Sequence, residues 1–126
     1  MKRVPSEHDE QAVILAWARA MRGQYPELAL LFAVPNGART SYSQAKRLKA
    51  EGMQAGVPDL CLPVARKGWH AMYLEVKRQK GGRVSEMQRW WGERLRQEGN
   101  FVVVVRGAER GIHYLKRYLG EGTFPP

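Results

Sequence analysis

The chain is poor in cysteine, in acid and in long apolar runs, and each shortage excludes something. A single cysteine, Cys61, among 126 residues rules out an internal disulfide. Its place in the run Leu60-Cys61-Leu62 reads as a small buried hydrophobe rather than a reactive thiol. The three histidines, His8, His70 and His113, are scattered without metal-ligand spacing, so no zinc site is indicated. No apolar run approaches membrane-spanning length, and Met1-Lys2-Arg3-Val4-Pro5-Ser6 has no apolar stretch behind its charges. The expectation is a soluble, cytoplasmic chain. With no internal repeat and no linker, residues 1–126 are expected to form one domain, with an ordered core over 6–119 and a loose tail over 120–126.

Acid is scarce relative to base: 12 Asp and Glu against 21 Lys and Arg leave a net charge of +9. A surplus of this size in so short a chain points to a polyanionic partner, nucleic acid before an anionic membrane surface. No helical pattern pairs a lysine-rich face with a strongly apolar one, which argues against the membrane. The bases between positions 37 and 83 are Arg39, Lys46, Arg47, Lys49, Arg66, Lys67, Lys77, Arg78, Lys80 and Arg83. The acids of that segment are Glu51, Asp59 and Glu75 alone, a small acidic centre in a basic field.

Local patterns predict the elements. Ser6, with Asp9 three residues on, forms a capping box for a first helix whose apolar stripe is Val13, Trp17, Ala20 and Met21, widened by Ile14 and Ala18. The apolar run 28–34 reads as a buried strand, and Pro35-Asn36-Gly37 as a turn. Ser41 or Ser43 starts a second, strongly basic helix that ends at Gly52. Strands are expected over 57–64 and 71–77, joined as a hairpin through 65–68. Ser85 or the preceding turn caps a third helix over 86–98 with Met87, Trp91 and Leu95 in register and Trp90 beside them. A strand over 101–105 and a helix to Leu119 complete the order. The fold class is α/β, a central mixed sheet flanked by helices.

The chemistry lies on the two middle strands. Alternation puts Tyr73, Glu75 and Lys77 on one face and Met72, Leu74 and Val76 on the other. If Asp59 sits at the end of the neighbouring strand, its carboxylate meets Glu75 over one hard cation, the ligand set that Mg²⁺ takes together with water and substrate phosphate. Lys77 would orient the attacking water or offset charge growing on the phosphorus oxygens. The pattern reads as a phosphodiester-cutting site. Glu-X-Lys alone is weak; Pro58-Asp59 ahead of it, inside a basic field, makes it moderately specific.

Pro58-Asp59 followed by Glu75-Val76-Lys77 resembles the signature of the restriction-endonuclease-like superfamily, the PD-(D/E)XK nucleases, and more narrowly the VRR-NUC family. Further matching pieces are Glu7 with Gln11, Pro35-Asn36-Gly37, the run Ala45-Lys46-Arg47-Leu48-Lys49-Ala50-Glu51-Gly52, Gly56-Val57, and Ser85-Glu86-Met87-Gln88 leading into Trp90-Trp91. The resemblance implies a restriction-endonuclease-like core and a nuclease dependent on Mg²⁺ or Mn²⁺. It implies Asp59, Glu75 and Val76 as metal ligands, the last through its backbone, and Lys77 as the catalytic lysine. Glu7 matches the first-helix acid, with Glu10 as its rival, and Gln88 a glutamine in or beside the active site. Small stand-alone members, often phage-encoded, are similar to Holliday junction resolvases and act as homodimers, so branched DNA and a second copy are the expected partners. Arg39, Lys46, Arg47, Lys49 and Lys80 are the expected phosphate contacts. A non-catalytic nucleic-acid-binding module of the same fold is the alternative.

Overall fold

The computed structural model describes residues 3–35 and 41–126. Asn36, Gly37 and Arg39 therefore lie outside the described residues. In chain order the elements are α1 (Glu7–Ala20), a 3₁₀ turn (Pro26–Leu30), β1 (Phe32–Ala33), α2 (Tyr42–Ala50), β2 (Leu60–Leu62), β3 (Met72–Lys77), α3 (Glu86–Gln97), β4 (Phe101–Arg106) and α4 (Ala108–Leu119).

The sheet runs β1-β2-β3-β4. β2 lies antiparallel to both β1 and β3, as the short 65–68 connection requires, whereas β3 and β4 are parallel and joined across α3. Pairing of Glu75 with Val104 and of Val76 with Val105 sorts both strands by face. Met72, Leu74, Val76 and Val105 point toward α1 and α4, where Ile14, Leu115 and Tyr118 are fully buried among them. Tyr73, Glu75 and Lys77 point toward α3, whose Gly92 packs against Val102. Both faces of β3 are covered, which is why a strand with two charged residues is almost wholly buried.

Short-range signals were reliable for the helix starts. The Ser6–Asp9 capping box is formed, Ser41 caps α2, and Ser85 caps α3. Four expectations are corrected. The run 28–34 is not a strand: Pro26 enters a 3₁₀ turn that buries Leu28, and only Phe32 and Ala33 pair, on the sheet edge. The expected strand 57–64 shortens to Leu60–Leu62, because Pro58 has no N–H for a ladder and is itself buried ahead of the strand. On α1 the buried positions are Glu10, Ile14 and Ala18, while Val13 is half exposed. On α3 Met87 faces outward, and the inner face carries Gln88, Trp91, Gly92 and Leu95. In the C-terminal segment Phe124 packs on Phe101 and Tyr118, with ring centroids 4.6 and 5.4 Å away.

Candidate active site

The site sits where the C-terminal end of β3 meets the N-terminal end of β2. Asp59 is held there from two sides. Its carbonyl accepts from the Val34 N–H beyond β1 (2.7 Å), and its Oδ2 accepts from the Val76 N–H (2.8 Å). The residues before it explain the local sequence. Gly56 has φ +95°, and a Cβ there would lie 2.7 Å from the Met87 backbone, so only glycine lets this loop pass α3. Pro58 then anchors the turn in the core.

Glu75 and Lys77 follow on the same face of β3, each only 4% exposed. The Lys77 ammonium lies 3.6 Å from Glu75 Oε2 and 3.8 Å from Glu7 Oε1. Gln88 joins them: its Nε2 donates to Glu75 Oε2 (2.9 Å), and its Oε1 accepts from Lys77 Nζ (3.0 Å). That oxygen also accepts from the Ser85 N–H (2.9 Å), completing the capping box of α3. One amide thus starts the helix and ties it to two catalytic candidates. A glutamate at this position would lack the donor that Glu75 receives.

The remaining oxygen of Glu75, Oε1, is buried and has no hydrogen-bond partner. Burial, and then the neighbouring Asp59 carboxylate, push the Glu75 carboxyl up to about 8, against the pull of Lys77. Among the described residues no three or more His, Cys, Asp and Glu side chains are placed to hold a metal ion together. Asp59 and Glu75 are the carboxylates that could hold a cation, with Val76 between Glu75 and Lys77 able to offer only its backbone carbonyl.

The structure separates Glu7 from its rival. Glu7 stands at the rim beside Lys77, with a side chain about half exposed. Glu10 is buried and turned away: its Oε1 accepts from the Ala108 N–H (3.1 Å) at the start of α4, and its Oε2 from Gln79 Nε2 (3.0 Å). It caps α4, whose preceding Gly107 (φ +96°) offers no side chain for that purpose. This role escaped the sequence reading, although an acid in register with Ile14 and Ala18 was a legible signal. Lys46, Arg47 and Lys49 are exposed on α2, which buries no residue, and Lys80 is exposed on the loop after β3. Arg39 lies outside the described residues. That loop is fastened by Arg106, which donates to the carbonyls of Gly81 (2.6 Å) and Gly82 (3.3 Å).

A mixed four-stranded sheet with Asp59 at the head of β2 and Glu75 and Lys77 on β3 fits a restriction-endonuclease-like fold. The VRR-NUC domain matches residues 1–109, and the chain belongs to the VRR-NUC family. It is similar to a solved structure described as "VRR_NUC domain protein", with TM-score 0.78 and 25% identity over 94% of this chain and 93% of the other. No curated protein matches the chain. Among the described residues no helix is long and apolar enough to cross a membrane.

Proposed function

We propose that this chain is a Mg²⁺- or Mn²⁺-dependent endonuclease that hydrolyses phosphodiester bonds in branched DNA, in the manner of a Holliday junction resolvase. The observation that carries the reading is Glu75: a buried carboxylate beside a second one, with one oxygen left without a donor. Such a group costs folding free energy unless a cation or proton satisfies it. Asp59, Glu75 and the Val76 carbonyl fit a hard cation that completes its shell with water and phosphate oxygen. When bound, the cation polarises the phosphoryl oxygen and lowers the pKa of water.

The chain's own residues do the rest. Lys77, aimed by Gln88 and Glu75, presents its ammonium where charge builds on the phosphate. Glu7 at the rim gives Lys77 a second carboxylate partner. The bases of α2 and Lys80 hold the DNA backbone without reading sequence. Two copies related by a twofold axis would suit two symmetric cuts in a junction. The alternative, a binding module without catalysis, has no use for a buried and incompletely paired carboxylate.

The test is a panel of labelled four-way junction, flap, single-stranded and duplex DNA with Mg²⁺ or Mn²⁺. Cleavage of the branched forms is expected, ended by chelator and by Asp59→Ala. Cleavage that persists in Asp59→Ala, or without a divalent cation, sinks the site assignment.

A further inference from the structure

The loop over 78–84 leaves β3 directly after Lys77 and reaches Ser85 at the start of α3. It forms no regular element, yet it is held at three points. Gln79 Nε2 donates to the buried Glu10 (3.0 Å). The carbonyls of Gly81 and Gly82 accept from Arg106 Nη1 (2.6 Å) and Nη2 (3.3 Å). The Ser85 N–H donates to Gln88 Oε1 (2.9 Å). Gly81 and Gly82 stand at φ +78° and +71°, consecutive left-handed residues that side chains disfavour. A Cβ on Gly82 would lie 3.3 Å from Glu7 Oε1, an atom that is itself 3.8 Å from Lys77 Nζ, so the loop runs along the rim of the site.

Arg106 ends β4 in register with Lys77 and is exposed. An exposed arginine at the mouth of a nuclease site would ordinarily be assigned to the DNA backbone. Here its fork is spent on two backbone carbonyls, one from each of two successive peptide groups. The cations it leaves for a polyanion are those of the loop. Arg78, Lys80 and Arg83 are exposed, and among the described residues none of them is in an ion pair. A glycine pair left free would have to be ordered each time a phosphate bound, and that ordering subtracts from affinity. Held by Arg106, the loop has met this cost before DNA arrives.

We propose that Arg106 is a positioning residue: it holds the glycine pair so that Lys80 and Arg83, on either side of it, grip phosphates of the strand being cut. The inference rests on the nuclease reading and deepens it, adding Arg83 to the backbone contacts and giving Arg106 a role without DNA contact. A lysine cannot replace it, because a point charge does not span two carbonyls as the guanidinium fork does.

The experiment measures binding of labelled four-way junction DNA in chelator, where no strand is cut, over a range of salt. Lys80→Ala with Arg83→Ala should weaken binding about 10-fold and lower the salt slope by about 2. Arg106→Ala should weaken it about 5-fold, Arg106→Lys should fare no better, and amide exchange over 79–84 should quicken in both. Added to the Lys80 and Arg83 pair, Arg106→Ala should cost nothing further, because it acts through them. A full additional loss in that triple variant, or recovery of binding by Arg106→Lys, overturns the proposal and makes Arg106 a phosphate contact. Unchanged exchange over 79–84, or unchanged binding by Arg106→Ala, overturns it as well. The two readings fail separately. Without nuclease activity, no DNA is cut with Mg²⁺ or Mn²⁺ although the binding cycle holds. Without the positioning role, cutting still depends on Asp59 although the losses at Arg106 and at the loop bases add.

Discussion

Two glutamates, Glu10 and Glu75, are buried to nearly the same degree, 5% and 4% exposed, and serve opposite ends. Glu10 has a donor on each oxygen: the first N–H of α4 on one and Gln79 on the other. Its charge lies at the positive end of a helix, which offsets the loss of water. Glu75 has a donor on one oxygen, nothing on the other, and a second carboxylate beside it. The first is a fastening between α1 and α4. The second is held unsatisfied by the sheet, and that difference, rather than burial, separates a structural acid from a site.

The sharpest test is a double dissociation. Glu75→Gln should fold, keep an acceptor for Gln88, and reduce cleavage roughly 1000-fold or more, each decade being about 1.4 kcal/mol of transition-state stabilisation. Glu10→Ala should do the reverse. Loss of its acceptor strands a buried N–H at the start of α4, costing about 2–3 kcal/mol by denaturant titration, while cleavage below the unfolding transition persists. If Glu10→Ala kills cleavage in folded protein, the comparison breaks and the two acids belong to one site.

A second test uses pH. Glu75 has a folded-state pKa of about 8 against an ordinary value of 4.5. Between those values the unfolded chain has released the proton and the folded chain still holds it, so stability falls as pH rises. In chelator the melting temperature should therefore decline from pH 5 to pH 8, and Glu75→Gln should flatten that slope. Added Mg²⁺ or Mn²⁺, which favours the ionised form, should raise the melting temperature most at the alkaline end. A chelated wild-type protein with no slope across the window would show that Glu75 is satisfied after all.

The smallest effects are expected on the basic face. Charge removal at Arg47 and Lys49 should weaken DNA binding across all sequences and lower the salt slope by about 1 per charge, without changing the melting temperature. Those side chains are exposed on a helix that buries nothing. A loss confined to one DNA sequence would mean that α2 reads bases.

What the sequence determined by itself was short-range. Ser6, Ser41 and Ser85 start helices because a side-chain oxygen satisfies an N–H two or three residues away. Strand alternation put Glu75 and Lys77 on one face, and the Pro-Asp motif put Asp59 at the head of the next strand. The family pattern was legible for the same reason, as a set of local motifs in order. What only the tertiary structure decided is the fate of each polar group once another element packs over it. Glu7 and Glu10 are one turn apart and the same residue type, yet one meets Lys77 and the other the start of α4. Gln88 looks like any exposed helix residue until β3 supplies its partners, and the run 28–34 looked like a full strand until edge position left it one short pairing. Spacing along the chain sets which way a side chain points; what it meets there depends on segments tens of residues away.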